Sequence, residues 1–305
     1  MNILLTGASG QLGQELLPEL QQLGPVTQVD RAVVPGSSSL IQQDLGDLGK
    51  VELLLNRMRP DVIVNAAAYT AVDHAEDDPD SAFRINEALP ARLARWSKSN
   101  DRLLVHYSTD YVFSGESDRP YLEDDLTGPL GVYGASKLAG ETAITESGCR
   151  NLILRTSWVY SAHGNNFVLT MLRLARERPS LSIVSDQVGC PTWARNLAAV
   201  TRRMIDKAEF AEDGAFPSGV YHYCDSDPVS WYEFAHTIFT TGAQLGILAR
   251  LPEMTAVPSS GFPQKAKRPL YSVLNASKIH EQFGIEQAGL QQSLQACIEE
   301  LAGNE

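Results

Sequence analysis

The first half of the chain alternates short, continuously apolar runs with longer stretches in which apolar residues recur every three or four positions. The apolar runs predict buried strands over residues 3–5, 26–30, 61–65, 102–107 and 151–155. The periodic stretches predict helices over residues 11–23, 48–58, 79–99 and 133–147. Strands that are apolar on both faces belong to a parallel sheet covered by helices. The sequence therefore predicts an α/β fold with a doubly wound, Rossmann-type parallel sheet.

The pattern changes after about residue 160. We predict helices over residues 166–176, 231–240 and 275–283 and strands over 181–184 and 219–223, with Asn275 as an N-cap and Gly284 as a C-terminal stop. The Pro- and Gly-rich stretch 252–269 is expected to form an irregular lobe. The predicted division is a dinucleotide-binding domain over 1–160, with a contribution from about 181–223, and a smaller, mainly substrate-binding α/β region over 161–305.

Composition narrows the classes of partner. The 305-residue chain is 43% hydrophobic and carries a formal charge of −12, which argues against nucleic-acid and anionic-membrane surfaces. A phosphorylated ligand remains possible, because backbone N–H groups can bind phosphate. The four cysteines have no metal-type spacing, no signal peptide is visible, and no apolar run approaches the roughly 20 residues of a membrane span. We expect a cytoplasmic protein.

Three glycines, Gly7, Gly10 and Gly13, directly follow the first strand and open the first helix. Small residues here let a pyrophosphate approach the backbone, and the helix N-terminus supplies free N–H groups and a favourable dipole. The spacing is G-x-x-G-x-x-G, and the alternative is an ordinary tight turn. The context favours a dinucleotide site.

The ends of the second and third strands bear on the choice of cofactor. Asp30 can accept a hydrogen bond from the adenosine ribose 2′-hydroxyl and repel a 2′-phosphate, whereas the adjacent Arg31 can pair with that phosphate. The sequence therefore permits NADPH or NADH. Asp44 and Leu45 lie where a third loop would reach the adenine, although a helix-entry turn explains them equally well.

Small residues also follow the strand at 61–65. This stretch leaves room for a cofactor to cross the end of the sheet, although close packing of strand and helix would favour alanines too. The predicted cofactor-lining residues are Ala66, Ala67, Ala68, Tyr69 and Thr70.

Tyr133 and Lys137 are candidates for proton transfer, with Thr109 at the end of the preceding strand. Positions i and i+4 share one helical face. A free tyrosine titrates near ~10, and a neighbouring ammonium and a cationic nicotinamide are expected to lower that pKa. A tyrosine and a lysine at this spacing usually form only a surface pair on a helix. Because a dinucleotide-binding turn precedes them in this chain, we assign Thr109, Tyr133 and Lys137 to catalysis, with Thr109 holding a carbonyl oxygen.

Further segments resemble the dTDP-4-dehydrorhamnose reductase family of extended short-chain dehydrogenases/reductases, from residue 1 to about 300. They are NAAAYTAVD at 65–73, HYSTDYVF at 106–113, RTSWVY at 155–160, Asn166–Phe167, Asp186–Gln187, Gly189 with Pro191–Thr192, and Arg268–Pro269 with Ser272. That family reduces the 4-keto group of dTDP-6-deoxy-L-lyxo-4-hexulose to give dTDP-L-rhamnose.

The resemblance implies roles for individual residues. Gly10, Gln11 and Leu12 would meet the pyrophosphate, and Lys137 would also hold the nicotinamide ribose. Tyr133 would give its proton to O4 of the sugar. The remaining residues expected at the substrate are Thr109, Asp110, Val72, Tyr111 and Trp158, of which Trp158 could instead be a core aromatic.

One position departs from the family pattern. Family members form a magnesium-bridged dimer through a Glu in the first helix and acidic residues after the Gly-x-Pro-Thr turn. Glu15 is present, but Arg195 stands where a carboxylate is expected and Leu197 is not acidic. Because a guanidinium repels a divalent cation, we expect no magnesium site, and a monomer or weak homodimer that is not metal-bridged. A Glu15–Arg195 ion pair, either within a chain or across an interface, could replace the metal site.

Two other functions stay open from the sequence. One is a reductase or epimerase of another nucleotide sugar, since an epimerase would retain its NAD tightly. The other is a non-catalytic regulatory subunit that keeps the cofactor site. The intact set of Thr109, Tyr133 and Lys137 argues against the second.

Overall fold

The computed structural model describes residues 1–31, 40–209 and 216–303, and seven parallel strands form its central sheet. The strands in chain order are β1 (Ile3–Thr6), β2 (Val26–Asp30), β3 (Leu40–Gln42), β4 (Val62–Asn65), β5 (Leu103–Thr109), β6 (Asn151–Thr156), β7 (Val159–Tyr160), β8 (Ser180–Val184), β9 (Val188–Gly189), β10 (Thr192–Trp193), β11 (Gly219–His222), β12 (Val229–Ser230) and β13 (Glu253–Val257). The sheet order is β11-β6-β5-β4-β1-β2-β3, which reverses direction beside β1. This topology confirms the predicted doubly wound fold.

Helices cover both faces of this sheet and build the C-terminal region. They are α1 (Gln11–Gln21), α2 (Leu48–Met58), α3 (Val72–Ala75), α4 (Pro79–Phe83), α5 (Leu89–Asn100), α6 (Val132–Ser147), α7 (Phe167–Glu177), α8 (Ala194–Glu209), α9 (Trp231–Gln244), α10 (Ser277–Phe283) and α11 (Leu290–Gly303). None of the helices in the described ranges is long and apolar enough to cross a membrane.

The sheet buries alternate residues on opposite faces, as the period of two along a strand requires. Leu4, Ile63 and Leu104 face the core that includes residues of α2 and α5. Leu5 and Val105 face the opposite core, together with residues of α1 and α8. A separate core forms among α7, α9 and α11. The continuous apolar pattern of the strands is therefore explained by helices on both sides.

Several predicted elements need correction. The helix expected over 79–99 is divided by a π-helical turn, Arg84–Ala88, between α4 and α5. The lobe over 252–269 contains β13, which pairs in parallel with β8. The short β3 and the helices α8 and α11 were not predicted, although the apolar residues of α8 recur with a clear helical period. Asn275 accepts a hydrogen bond from the Ser277 N–H at 2.8 Å, one residue before the N-cap, Ala276.

The C-terminal half contributes to both layers of the molecule. β11 pairs with β6 at the edge of the central sheet, whereas β8 pairs only with β13 among the described strands. The domain division itself stays a prediction. What the topology does fix is the location of a ligand site, because open parallel sheets bind ligands outside the carboxyl ends of strands where the strand order reverses.

Candidate active site

The glycine-rich turn after β1 has two glycines at which a Cβ would clash and a third that is exposed. Gly7 has φ +68°, and a Cβ there would lie 2.6 Å from the Ala67 nitrogen. At Gly13 a Cβ would lie 2.1 Å from the Gly7 oxygen. Gly10 is exposed, and a Cβ there would lie 3.3 Å from its nearest neighbour, so it leaves an uncovered surface at the start of α1. That surface fits a pyrophosphate, because the first-turn N–H groups have no acceptor within the helix.

Gln11 and Leu12 occupy the first turn of α1. The Gln11 amide donates to the Val159 oxygen at 3.2 Å and accepts from the Asn166 amide at 3.4 Å, which links the turn to the C-terminal region. Leu12 packs against the core beneath the sheet. The two side chains are therefore engaged inside the protein, and the predicted pyrophosphate contacts fall on their backbone.

Asp30 ends β2 beside this turn. Its Oδ2 accepts a hydrogen bond from the Ser9 N–H at 2.9 Å, so the carboxylate is fixed against the turn. Arg31 is exposed directly after it, and residues 32–39 lie outside the described residues. Asp44 Oδ1 accepts from the Gly46 N–H at 2.9 Å, and Leu45 is buried in the core. The helix-entry alternative thus accounts for both side chains, and an adenine contact there stays a prediction.

The alanine-rich segment after β4 is anchored by a residue that sequence reasoning missed. Asn86, fully buried in the π-helical turn, accepts from the Tyr69 N–H at 2.9 Å and donates to the Tyr69 oxygen at 3.0 Å. Its amide also donates to Ser136 Oγ at 3.0 Å. Ala66 to Ala68 and Tyr69 are partly exposed and Thr70 is exposed, so this segment presents a surface beside the glycine turn. A polar residue on the apolar face of a helical pattern was the available sign.

Thr109, Asp110 and Tyr111 stand at the carboxyl end of β5. Thr109 Oγ1 donates to Asp110 Oδ1 at 3.0 Å and accepts from the Tyr111 N–H at 3.2 Å. Burial raises the pKa of Asp110 to about 6, although hydrogen bonds from Ser272 and Thr109 oppose the shift. The Tyr111 ring meets the Tyr133 ring edge to face, with 5.7 Å between the centroids. The structure therefore brings these predicted substrate residues to Tyr133.

Tyr133 and Lys137 lie one turn apart on α6, and they differ from expectation in one respect. Burial raises the pKa of Tyr133 to about 12, partly offset by a hydrogen bond with Thr109, instead of the expected lowering. The phenol is therefore protonated at neutral pH, which suits a proton donor. Burial lowers the pKa of Lys137 to about 8, because the ammonium is enclosed between α6 and β5. Lys137 Nζ donates to the backbone oxygen of Tyr107 at 2.5 Å.

A cleft opens above Tyr133 and is closed on one side by the segment after β13. Its lining residues include Val72, Glu76, Tyr111, Tyr133, Lys267 and Pro269. Asp73 accepts from Arg268 at 2.8 Å and from the Ala266 N–H at 3.0 Å, which holds this segment against α3. Tyr133 therefore lies at a narrow cleft whose lining carries one acidic and one basic residue, Glu76 and Lys267.

Trp158 does not line that cleft. It adopts φ +48° directly before β7 and stacks on Trp231 with 3.5 Å between the ring centroids. It is so close to Gly189 that a Cβ there would lie 2.7 Å from the indole. Phe167 also packs on Trp231. The structure thus supports the alternative of a packed aromatic, and contact of Trp158 with a sugar stays a prediction.

The expected ion pair between α1 and α8 is confirmed within one chain. Arg195 Nε lies 2.9 Å from Glu15 Oε2, and its other nitrogen lies 2.7 Å from Glu300 Oε2 on α11. His163 Nε2 stands 3.9 Å from Glu15 Oε1. Within residues 1–31, 40–209 and 216–303, no group of three or more His, Cys, Asp or Glu side chains is placed to hold a metal ion.

Comparison with known proteins agrees with this geometry. The family model described as RmlD substrate binding domain matches residues 1–302. The chain belongs to this family. It is 43% identical over 307 residues to a dTDP-4-dehydrorhamnose reductase of Burkholderia thailandensis, with 99% of each chain covered.

Solved structures of this family are similar over their whole length. A dTDP-4-dehydrorhamnose reductase of Clostridium acetobutylicum superposes with a TM-score of 0.88 at 35% identity, covering 99% of this chain and 100% of that one. A Bacillus anthracis dTDP-4-dehydrorhamnose reductase in complex with NADP gives a TM-score of 0.87 at 32% identity, covering 98% and 99%.

Proposed function

We propose that this protein is an NAD(P)H-dependent reductase that converts the 4-keto group of dTDP-4-dehydro-6-deoxy-L-mannose (dTDP-4-dehydrorhamnose) to the alcohol of dTDP-L-rhamnose. The observation that carries the proposal is the protonated phenol of Tyr133, hydrogen-bonded with Thr109 and one turn from Lys137, at the sheet edge where the glycine turn opens. The relatives named dTDP-4-dehydrorhamnose reductase supply the substrate class. An assignment to the cytoplasm, where nicotinamide reductants are available, belongs to the same proposal.

The cofactor is assigned to the turn and the surface beside it. Bound NADPH or NADH supplies the hydride for the keto carbon. The open backbone at Gly10 to Leu12 holds the pyrophosphate, and Asp30 and Arg31 lie at the end of β2 for the adenosine ribose or its phosphate. Ala66 to Thr70 line the way toward Tyr133, with Asn86 fixing their backbone.

Proton transfer is assigned to Tyr133. Its phenol donates a proton to O4 of the sugar as the carbonyl is reduced, and Thr109 orients that oxygen. The Lys137 ammonium stabilises the phenolate that remains, since opposite charges favour the charged form. Its pKa of about 8 keeps most of the ammonium charged at pH 7. The proton is then returned from solvent.

The deoxysugar is assigned to the cleft above Tyr133. Val72 and Tyr111 supply apolar surface, Asp110 a polar contact next to Thr109, and Lys267 a positive charge suited to the diphosphate at the rim. A contact with Trp158 requires the sugar to extend beyond this cleft.

Replacing Tyr133 with Phe tests the assignment. The variant keeps the ring and loses the proton donor, so we expect kcat with dTDP-4-dehydrorhamnose to fall roughly 10²-fold or more, the scale of general acid catalysis. The KM for NADPH should change little, because most of the assigned dinucleotide contacts lie at the glycine turn. The measurement is loss of nicotinamide absorbance with enzymatically prepared substrate.

Tyr232→Phe on α9 is the matched control, because it removes a phenol far from the cleft and should leave kcat unchanged. Near-normal turnover of Tyr133→Phe would remove Tyr133 from this role. The same assay separates the alternatives: an epimerase would retain its nucleotide through purification and not consume added NADPH, and a regulatory subunit would show no turnover.

A further inference from the structure

A buried polar row crosses the middle of the central sheet. Thr6 on β1 pairs in register with Asn65 on β4, and Asn65 pairs with His106 on β5. Each is about 1% exposed, although the positions two residues earlier on the same face are apolar: Leu4, Ile63 and Leu104. Burying polar side chains is costly unless they are hydrogen-bonded, so such a row needs a specific partner.

Hydrogen bonds join this row to Lys137. Thr6 Oγ1 lies 2.6 Å from the Asn65 amide, and the other atom of that amide lies 2.9 Å from His106 Nδ1. His106 Nε2 then lies 3.2 Å from Lys137 Nζ. The Ala67 N–H donates to Thr6 Oγ1 at 3.4 Å. A continuous chain therefore runs from the alanine-rich segment after β4 to the assigned catalytic ammonium.

The charges around Lys137 leave His106 as its neutral side-chain partner. Glu141, one turn further along α6, is itself held by Arg155 of β6 at 2.7 Å. Burial and the neighbouring ammonium hold the pKa of His106 well below its usual range, so the imidazole is neutral. Among the described residues, the titratable and charged groups around Lys137 and Tyr133 are on three elements and the turn after β5: His106 and Tyr107 on β5, Asp110 and Tyr111 after it, Tyr133 and Glu141 on α6, and Arg155 on β6.

If Lys137 is an ammonium, counting its donors determines which nitrogen of His106 carries the proton. An ammonium has three N–H groups, of which one goes to the Tyr107 backbone oxygen and one to His106 Nε2, which leaves one for a further acceptor. For Nε2 to accept, the imidazole proton must be on Nδ1 and donate to the Asn65 oxygen, with the Asn65 NH2 group toward Thr6. The oxygen and nitrogen of a side-chain amide are set by such networks, so this arrangement keeps the same heavy-atom distances.

The opposite arrangement has a different consequence. If Asn65 donates to Nδ1, the proton is on Nε2 and points at Lys137. Two donors would then meet at 3.2 Å unless Lys137 is a neutral amine. An Nε2–H imidazole would thus mean that Lys137 is neutral, whereas an ammonium at Lys137 requires the Nδ1–H form.

We propose that His106, oriented by Asn65 and Thr6, is a positioning residue that holds Lys137 as an ammonium directed toward the assigned phenol. His106 does not touch the substrate; it acts through Lys137. The effect on turnover rests on the proposed function, whereas the tautomer of His106 does not.

The first experiment measures the tautomer in the wild-type protein. Long-range ¹H–¹⁵N correlation spectra at pH 6.5 and 25 °C, with His106→Gln to assign the resonance among the six histidines, should show the Nδ1–H form of His106. An Nε2–H form, or an imidazolium, would overturn the proposal whether or not the protein reduces a sugar nucleotide.

The second experiment compares the substitutions His106→Gln and His106→Asn in the full-length protein. The longer glutamine side chain brings its amide to the place of Nε2, whereas the amide of the shorter asparagine side chain reaches only that of Nδ1. His106→Asn should therefore lower kcat and move the alkaline limb of kcat/KM down by about one pH unit, since a hydrogen bond to a charged group contributes about 1.5 kcal/mol. The His106→Gln variant should keep the alkaline limb of its kcat/KM profile at the wild-type pH.

Folding is checked by thermal unfolding of both variants. If they are equally stable and have the same alkaline limb as the wild type, His106 is only a core residue. Absence of turnover in the wild-type protein would instead contradict the proposed function and leave the tautomer result standing.

Discussion

At the scale of single residues, Asp30 has a structural role and a proposed role in cofactor choice, and substitutions can separate the two. Its carboxylate anchors the glycine turn through the Ser9 N–H at 2.9 Å, and its charge is placed to favour a ribose hydroxyl over a phosphate. Asp30→Ala should raise the KM for NADH by about tenfold, the scale of a hydrogen bond to a charged group, and spare or lower that for NADPH. Steady-state kinetics with both cofactors provide the measurement.

Asp30→Asn is the matched variant, because its amide oxygen still accepts from Ser9 while the charge is lost. We expect the same shift in cofactor preference. If Asp30→Ala raised the KM for NADH and for NADPH equally, and Asp30→Asn raised neither, Asp30 would support the glycine turn without discriminating between the two cofactors.

Asp110 predicts a dependence of stability on pH. Burial raises its pKa from 3.8 to about 6, so the folded state binds the Asp110 proton more tightly than the unfolded state does. The protonated carboxyl therefore contributes its full share to the free energy of unfolding below about pH 4, and that contribution is lost as pH rises through 6. Asp110→Asn removes this titration. The unfolding free energy of the variant minus that of the wild type should rise by on the order of 2 kcal/mol between pH 4 and 7.

Urea unfolding at several pH values measures this difference, with the exposed Asp118→Asn as control. A difference for Asp110→Asn that stays constant across the range would contradict a raised pKa at this carboxyl.

The sequence could reveal the residues whose chemistry or backbone demand is visible in isolation. Gly7 and Gly13 stand where no Cβ fits, and Tyr133 and Lys137 stand one helical turn apart. Asn86 and His106 were missed because their roles depend on partners distant in sequence: Tyr69 and Ser136 for one, Asn65 and Lys137 for the other. The periodicity of a sequence predicts which residues share a face of a strand, but it does not predict which residues of neighbouring strands stand opposite each other.

At the scale of elements, helix α6 joins both halves of the proposed site. Its N-terminal turns carry Tyr133 and Lys137, and further along Glu141 forms a buried ion pair with Arg155 of β6, with side chains 4% and 5% exposed. The Arg155 guanidinium also donates to the backbone oxygen of Glu123 at 3.2 Å. This ion pair holds α6 against β6.

Removing one partner of this pair should be costly. Glu141→Gln leaves Arg155 buried without its counter-charge, so we expect the free energy of unfolding to fall by about 3 kcal/mol or more. Chemical denaturation at pH 7 measures it. Glu146→Gln, exposed on the same helix, should change stability by less than about 0.5 kcal/mol. Similar values for the two variants would show that the ion pair is not what holds α6.

The element scale also shows where pattern reading fails. The π-helical turn at Arg84–Ala88 is invisible to a helical period, because one extra residue in a turn shifts the phase without interrupting the helix. β13 lies in a Pro- and Gly-rich stretch and buries little of its surface, so nothing in its composition separates it from a loop.

At the scale of the whole molecule, the N-terminal sheet and the C-terminal region are joined by charges as well as by packing. Arg195 of α8 links Glu15 of α1 to Glu300 of α11, and Arg202 of α8 pairs with Glu19 of α1 at 2.7 Å. Glu15 is only 4% exposed, so its carboxylate needs a nearby cation. We propose that within one chain the guanidinium takes the place of a divalent ion, and that the assembly is a monomer or weak homodimer without a metal bridge.

Arg195→Glu turns this proposal into a measurement. The variant brings a third carboxylate to Glu15 and Glu300, which repel one another unless an oxygen-seeking cation binds. Its thermal unfolding temperature should fall in EDTA and recover with millimolar Mg²⁺, whereas the wild type should keep its unfolding temperature, activity and light-scattering mass in either buffer. Arg202→Glu, which replaces the partner of Glu19, should be destabilised without recovery. If the wild-type protein loses activity in EDTA and regains it with Mg²⁺, Arg195 does not replace the ion, and the cation must draw ligands from outside the Glu15–Arg195–Glu300 cluster.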